Sequence, residues 1–215
     1  MEQIMINHYV HFSRLVQGFW RANEWKMTAK ELNYFINELV ERGITTMDHA
    51  DIYGDYQCES LFGNALDLSP ELRNKIQNQL LNQYIMKERL HISINQLELS
   101  PYHVDSLQDG TMDSMYQNHV QIMAWSPFAG GKIFDKEDIK AQRIMKVVQS
   151  IADKYGVSDT AVMIAWLVKI PHRIMPILGT SQLKRIDQAI EGLQLNLDDQ
   201  SWFDIYTAII GQDIP

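Results

Sequence analysis

An aspartate and a tyrosine, Asp48 and Tyr53, are the residues of this sequence best suited to chemistry. The segment 44–47 is expected to form a short strand after a helix that stops at Gly43, so Asp48 stands where that strand ends. Tyr53 follows on the next loop. A carboxylate at the carboxyl end of a strand, with a tyrosine on the loop behind it, suits acid chemistry at the mouth of a barrel. The alternative is that Asp48 caps the turn and Tyr53 packs on the rim.

Composition and charge exclude several classes of protein. Of the 215 residues, 46% are hydrophobic and 21% are charged, which is typical of one soluble globular domain with a substantial core. The formal net charge of -8 and the pI near 5.3 argue against a nucleic-acid or anionic-membrane surface. We therefore expect a small-molecule partner, no nucleic acid and no membrane. The sequence gives no indication of an oligomeric state.

The single cysteine, Cys58, excludes an internal disulfide and fits a reducing cytoplasm. No run approaches the roughly 18 apolar residues that a membrane span needs. The start of the chain also lacks the basic head and apolar middle of a signal peptide. These observations predict a cytoplasmic protein.

Hydrophobic spacing and cap residues predict that strands and helices alternate along the chain, which indicates an α/β fold with parallel strands and helical crossovers. The alternation fails at 75–81, where a third strand begins but is not completed before a polar helix over 80–90. The loop 130–138 is expected to be a solvated connection. The predicted strands are 15–20, 44–47, 94–99, 119–125 and 174–178, and the other predicted helices are 28–42, 59–66, 144–155, 158–170, 182–192 and 198–210, with a short one within 105–118.

Five separated segments resemble, in order, motifs of the aldo-keto reductases. They are Gly18-Phe19-Trp20-Arg21, Asp48 to Gly54, Asn95 to Pro101, Trp125-Ser126-Pro127-Phe128, and Gly179-Thr180-Ser181-Gln182 followed by Arg185 and Gln188. Each motif alone is weak, whereas five in the family's order are specific. The resemblance implies that residues 1–215 form a single domain, a (β/α)8 TIM barrel that is incomplete because strands three to five are not represented. It also implies an NADP-dependent oxidoreductase that reduces an aldehyde or ketone.

The resemblance implies a role for each matched residue. Tyr53 would protonate the alkoxide that forms when hydride reaches the carbonyl carbon, and Asp48 would be its catalytic neighbour. The residues expected to bind NADP(H) are Gly18, Phe19, Trp20, Gln96, Trp125, Ser126, Pro127, Phe128, Gly179, Thr180, Ser181, Gln182, Arg185 and Gln188. Physical reasoning supports part of this set, because the turn 179–181 precedes a helix and offers N–H groups and hydroxyls to a phosphate. The planar guanidinium of Arg185 suits a ribose 2'-phosphate, which favours NADPH over NADH.

Two catalytic residues of the family are not matched. A tyrosine with a pKa of about 10 needs a nearby cation to act as an acid near neutral pH. The family supplies a lysine at the end of strand three, paired with the aspartate that matches Asp48, and a histidine at the end of strand four. Lys75 does not replace that lysine, since it precedes the predicted strand. A barrel of this type needs about 250 residues or more, so we expect the sequence to join residues across a gap of roughly 80 residues near Gln77 to Gln79.

Two alternatives come from other functional classes. One is a catalytically weak cofactor-binding or regulatory protein on the same barrel, suggested by the missing lysine and histidine. The other is a metal-dependent hydrolase that uses Asp48, His49 and Asp51, although side chains alternate along an extended chain and His49 should point away from Asp48. His8 and His11 lack a carboxylate or cysteine partner and are expected to be surface residues. The main interpretation therefore includes no metal.

Overall fold

The computed structural model describes residues 1–6, 10–78 and 93–212. The chain divides into two compact units, Met1–Ile92 with Ile177–Leu183, and Ser93–Pro176 with Lys184–Pro215. Each unit combines helices with parallel strands, as the predicted α/β alternation requires. No helix among the described ranges is both long and apolar enough to cross a membrane.

The first unit contains an antiparallel hairpin and a parallel ladder. The hairpin joins β1 (Gln3–Met5) to β2 (His11–Ser13). In the ladder, β4 (Thr46–Asp48) pairs with β3 (Val16–Gly18) on one side and with β5 (Gln77–Asn78) on the other. The last two residues of β8 (Met175–Leu178) also pair with β3. The helices of this unit are α1 (Ala29–Glu41), α2 (Cys58–Leu66) and α3 (Pro70–Arg73).

Local sequence explains why α1 forms where it does. The Thr28 side chain accepts a hydrogen bond from Glu31 N, and the Glu31 carboxylate accepts one from Thr28 N, which is the predicted capping box. The helix buries Leu32, Phe35, Ile36 and Leu39 on one face. Gly43, with φ +81°, lets the chain turn into β4. The cap, the apolar face and the glycine stop together place Asp48 at the strand end.

The second unit contains β6 (Ile94–Glu98) and β7 (Gln121–Trp125), which run parallel, and the first two residues of β8 (Met175–Leu178) pair with β7. Its helices are α4 (Thr111–Gln117), α5 (Ile139–Tyr155), α6 (Asp159–Lys169), α7 (Leu183–Gln194) and α8 (Asp199–Ile210), where the first residue of α7 belongs to the first unit. Short 3-10 segments occur at Ala22–Trp25 in the first unit, and at Asp105–Leu107 and Ala129–Phe134 in the second.

Two tryptophans join α6 to α8. The rings of Trp166 and Trp202 stack with centroids 5.2 Å apart. Trp166 Nε1 donates to Trp202 O over 3.1 Å, and Trp202 Nε1 donates to Trp166 O over 3.0 Å. Each indole thus fills apolar space while its N–H finds a backbone acceptor.

Several predicted elements are confirmed, and some details were wrong or missed. β5 begins the expected third strand and has two described residues, while the predicted helix over 80–90 lies outside the described residues. The predicted solvated loop after Gly130 is wrong in part, because the 3-10 segment there buries Ala129 and Ile133. The β1–β2 hairpin was not predicted. His11 is exposed on β2, and His8 lies outside the described residues.

Candidate active site

Asp48 and Tyr53 meet in the first unit. Asp48 is the last residue of β4 and is 6% exposed. The Tyr53 hydroxyl donates to Asp48 Oδ2 over 3.1 Å. Gly18, the register partner of Asp48 on β3, would bring a Cβ to 3.9 Å from Asp48 Oδ2 and to 2.9 Å from Ile177 Cγ2. The tight contact is the one with Ile177, so the small residue at position 18 lets β3 lie close beside β8.

The loop that carries Tyr53 has an unusual backbone. Gly54, Asp55 and Tyr56 all have positive φ, at 57°, 54° and 65°. A Cβ at Gly54 would overlap Cys58 Sγ, so this position requires glycine. A left-handed conformation costs a non-glycine residue on the order of 1–3 kcal/mol and occurs most often at functional sites. The strained turn directly after Tyr53 is therefore consistent with a functional loop.

The electrostatic surroundings of Tyr53 oppose its ionisation. Burial of the phenol, the negative charge of Asp48 and the hydrogen bond to Asp48 all raise the pKa of Tyr53 above its usual value. All three causes act in the same direction, because each stabilises the neutral phenol relative to the phenolate. Tyr53 therefore holds its proton through the neutral pH range.

His49 occupies an aromatic cage and does not face the candidate site. Its ring stacks on Phe19 with centroids 4.6 Å apart and lies 4.3 Å from the Phe62 ring. Both ring nitrogens are buried without a hydrogen-bond partner among the described residues. Burial lowers the pKa of His49 to about 4. The ring is thus neutral at ordinary pH.

The metal-hydrolase alternative finds no support in this geometry. The described ranges contain no group of three His, Cys, Asp or Glu side chains that could hold an ion. Asp51 is exposed and accepts a hydrogen bond from Ile52 N over 2.8 Å. With His49 enclosed by aromatic rings, the three proposed ligands do not converge.

The turn after β3 places two predicted cofactor residues differently. Phe19 is buried and packs on Phe62 and Trp25, and its N–H donates to Asp48 O over 3.1 Å. Its carbonyl accepts from Ala22 N over 3.1 Å, so neither the ring nor the backbone of Phe19 is exposed to a ligand in the described structure. Trp20, in contrast, is 57% exposed, and the Arg21 guanidinium lies 4.9 Å from its ring centroid.

The predicted phosphate turn follows β8 directly. Gly179 is exposed, and no atom of the described residues lies within 4 Å of the place that a Cβ would take there. Thr180 Oγ1 accepts a hydrogen bond from Gln182 N over 3.1 Å. Ser181 is half-buried. Arg185 is exposed and Gln188 is half-buried on α7, within its first two turns.

The remaining predicted residues lie in the second unit. Gln96 is half-buried on β6, and its Nε2 lies 3.8 Å from Met123 Sδ. Trp125 ends β7 and is 40% exposed, Pro127 is buried, and the Phe128 ring lies 6.3 Å from that of Phe134. Ser126 has a φ of 51°, as does Ala129, so this loop also holds non-glycine residues in the left-handed region.

Sequence reasoning missed Gln17, a fully buried amide on β3. Its Nε2 donates to Gly18 O, Leu178 O and Thr180 O. A polar residue in the middle of an apolar strand was the available signal, since buried polar groups need partners. The identity of those partners could not be read locally, because Thr180 is 163 residues away in the chain.

Comparison with known proteins decides the family. The aldo/keto reductase family model matches residues 14–80 and 79–210. The chain belongs to the aldo/keto reductase family. Its relatives in this family include YcsN, an uncharacterized oxidoreductase of Bacillus subtilis (strain 168), which is 32% identical over 300 alignment positions that span 100% of both chains. Oxidoreductase activity is therefore the general activity expected of this aldo/keto reductase.

Two further relatives carry the names of oxidoreductases. YdhF, an oxidoreductase of Escherichia coli (strain K12), is 29% identical over 95% of this chain and 96% of its own. A 6-dehydroglucose reductase of Agrobacterium fabrum is 27% identical over 100% of both chains. Membership of the aldo/keto reductase family, rather than these names, implies a small-molecule carbonyl substrate.

A solved structure shows the fold of this aldo/keto reductase. A thermostable aldo-keto reductase crystallised with the inhibitor epalrestat matches with a TM-score of 0.71 at 15% sequence identity, over 97% of this chain and 100% of that one. The fold is accordingly an α/β barrel of the TIM type, with the third to fifth strand units incomplete in the described residues.

Proposed function

We propose that this protein is an NADPH-dependent reductase of an aldehyde or ketone, with Tyr53 as the proton donor. The observation that carries the proposal is the hydrogen bond between Tyr53 and Asp48 at the carboxyl end of β4, in a chain of the aldo/keto reductase family. The partner is a small carbonyl compound. A cytoplasmic location is part of the proposal and is supported by the single cysteine.

The proton step follows from the charges around Tyr53. A raised pKa keeps the phenol protonated, so a proton is always available for a developing alkoxide. When that proton leaves, however, a phenolate stands beside the Asp48 carboxylate, and the repulsion opposes the transfer. A cation near the pair would remove this opposition. Beside Asp48 and without such a cation, Tyr53 would therefore donate its proton slowly. The lysine that the family places nearby would accelerate this proton transfer.

We propose a nicotinamide dinucleotide as the cofactor, because each unit offers groups that suit part of such a molecule. Such a cofactor supplies the hydride when bound. The open turn 179–181 before α7 offers backbone N–H groups and hydroxyls to a phosphate, and the exposed Arg185 offers a guanidinium to a 2'-phosphate. Trp125 presents part of its ring at the end of β7 and could stack on a flat heterocycle. These side chains would bind and orient the cofactor.

The experiment that tests the proposal is a comparison of Tyr53→Phe with the unaltered chain. NADPH binding is followed by fluorescence titration, and carbonyl reduction by NADPH consumption. We expect Tyr53→Phe to reduce turnover about 100-fold or more and to leave NADPH affinity unchanged. Tyr34→Phe, at an exposed position on α1, is the matched control and should behave as the unaltered chain. Failure of the unaltered chain to bind NADPH would contradict the proposal.

A catalytically weak cofactor-binding protein is the second candidate. It is favoured by the raised pKa of Tyr53, since burial, the charge of Asp48 and the hydrogen bond to Asp48 all oppose loss of the phenol proton. The absence of a sequence match for the family's lysine and histidine favours it as well. This candidate predicts NADPH binding with little turnover. Substantial carbonyl reduction that disappears in Tyr53→Phe would exclude it.

We also propose a position for the part of the family barrel that this sequence lacks. The two segments of the family match meet at residues 79 and 80. The alignment with YcsN has 300 positions and this chain has 215 residues, so at least 85 positions face no residue of this chain. We propose that a segment of the family barrel, with the third, fourth and fifth strand units, belongs at this junction.

A further inference from the structure

Gln17 is a buried polar side chain for which the proposed mechanism has no use. It is the central residue of β3 and is 0% exposed. Its Nε2 lies 2.9 Å from Gly18 O, 3.0 Å from Leu178 O and 3.3 Å from Thr180 O, so its two hydrogens are shared among three carbonyl acceptors. All these residues belong to the first unit. One amide group therefore ties the end of β3 to the end of β8 and to the turn 179–181.

The neighbours of the amide determine which of its ends is the nitrogen. Three carbonyl oxygens, all acceptors, surround one end, so the NH2 group must occupy it. The other end, Oε1, is buried and has no hydrogen-bond partner among the described residues. An apolar side chain of similar size would avoid that unfavourable burial. The hydrogen bonds to the three carbonyls are thus what glutamine provides at this position and an apolar side chain of similar size would not.

The hydrogen bond to Thr180 O orients the next peptide N–H. In a trans peptide the carbonyl and the following N–H point in opposite directions. Because Gln17 holds the Thr180 carbonyl toward the buried amide, the N–H of Ser181 points away from that amide. The same turn is open at Gly179, where a Cβ would find no atom of the described residues within 4 Å. An anion at the start of α7 would meet this N–H.

We propose that Gln17 is a positioning residue for cofactor binding. Its amide holds the turn 179–181 so that the N–H of Ser181 faces a phosphate of the dinucleotide. The inference rests on the proposed function, because it assumes that this turn receives the cofactor. Gln17, a residue of β3 outside the cofactor motifs, would then contribute part of the affinity for the adenosine end of NADPH.

The test compares two buried hydrogen-bonding residues of the first unit. Gln17→Met keeps the length of the side chain and removes the amide. Ser13→Ala is the matched control, since Ser13 Oγ donates to Leu15 O and accepts from Thr45 N and Thr46 N, near the amino end of β4. Both variants lose buried hydrogen bonds, so both should lower Tm. Only Gln17→Met removes a contact to the turn.

Binding of NADPH and of adenosine 2',5'-bisphosphate is measured by calorimetry on the full chain. We expect Gln17→Met to raise both dissociation constants about tenfold, as expected when one well-placed hydrogen bond is lost. At saturating NADPH its kcat should remain within about twofold of the unaltered chain, so that the change appears in KM for the cofactor. Ser13→Ala should bind both ligands as the unaltered chain does.

Three results would overturn the inference. They are unchanged dissociation constants in Gln17→Met, an equal loss of affinity in Ser13→Ala, and an equal loss of kcat and of cofactor affinity in Gln17→Met. If Gln17→Met does not fold, Gln17→Asn replaces it, since its amide is withdrawn by one methylene from Thr180 O and the same loss of affinity is expected. If the unaltered chain binds neither ligand, the proposed function fails, and this inference fails with it.

Discussion

At the scale of single residues, the pair Asp48 and Tyr53 determines how this protein could move a proton. Both side chains lie on adjacent parts of one strand and loop, so their proximity follows from local sequence. The direction of the pKa shift of Tyr53, in contrast, could not be predicted from local sequence, because burial is its largest cause. The sequence motif suggests an activated acid, whereas the observed surroundings hold the proton more tightly.

Asp48→Asn should lower the pKa of Tyr53. The substitution removes the charge that opposes ionisation but leaves burial, the largest cause of the raised pKa, in place. The pKa of Tyr53 is therefore expected to fall and to stay above its usual value. The pKa of Tyr53 is measured by ultraviolet titration of phenolate absorbance. The titration curve of the double variant Asp48→Asn, Tyr53→Phe is subtracted from that of Asp48→Asn, which leaves the contribution of Tyr53. An unchanged titration of Tyr53 would show that Asp48 does not control this group.

His49 should make the fold sensitive to acid. Its pKa is about 4 in the folded chain and about 6.5 in an unfolded one, so the unfolded chain binds more protons between those values. The stabilisation from neutral His49 is complete above pH 6.5 and is lost as the pH falls toward 4. At about 1.4 kcal/mol per pKa unit, this amounts to about 3 kcal/mol.

His49→Phe should remove most of that acid sensitivity, because a phenyl ring fills the same aromatic cage and does not titrate. The measurement is the free energy of unfolding in urea at pH 8 and pH 5. His11→Gln, at an exposed position on β2, serves as the control and should lose stability with acid as the unaltered chain does. Equal acid sensitivity in His49→Phe would mean that other groups cause it.

At the scale of secondary structure, elements with local determinants were predicted and elements with distant partners were not. The capping box at Thr28 and the cap at Ser158 lie beside the helices they start, and both are observed. The β1–β2 hairpin was missed because its two strands have three residues each and little periodicity. The hydrogen bonds of Gln17 to Leu178 O and Thr180 O were missed because these acceptors lie near the other end of the chain.

The α6–α8 contact should depend on the paired indoles. Trp202→Phe removes the donation to Trp166 O and weakens the ring stack. We expect the free energy of unfolding to fall by about 1–3 kcal/mol. Thermal or urea unfolding measures the change. Ile139→Val, at a 79% exposed position on α5, is the control and should change stability by less than about 0.5 kcal/mol. A smaller effect at Trp202 than at Ile139 would contradict the assignment.

At the scale of the whole molecule, the order of five motifs was enough to predict the family and the barrel fold. Spacing could not predict the third to fifth strand units, because the sequence contains only the start of the third and no match for the fourth and fifth. The two-residue strand β5 ends one residue before the junction of the two family matches. The family's lysine and histidine would both lie in the segment proposed for that junction.

Insertion of the corresponding YcsN segment between Asn78 and Gln79 should increase carbonyl reduction. The inserted segment would restore a cation near Tyr53, which lowers its pKa and speeds proton transfer, by about 100-fold or more. Steady-state turnover with NADPH measures the effect. The matched control is the same insertion with the lysine that the family resemblance predicts at the end of the third strand changed to methionine, which should return turnover to that of the 215-residue chain. Equal turnover with and without that lysine would contradict the explanation.

The tryptophans also provide intrinsic fluorescence probes in both units. Trp166 is fully buried and stacked on Trp202 in the second unit, whereas Trp20 in the first unit is largely exposed. A buried indole fluoresces at shorter wavelength than one in water, and a stacked neighbour quenches it. In a chain that keeps only Trp166 and Trp202, loss of α6–α8 packing would shift the emission to the red. The wavelength of the emission would then report the unfolding of the second unit alone.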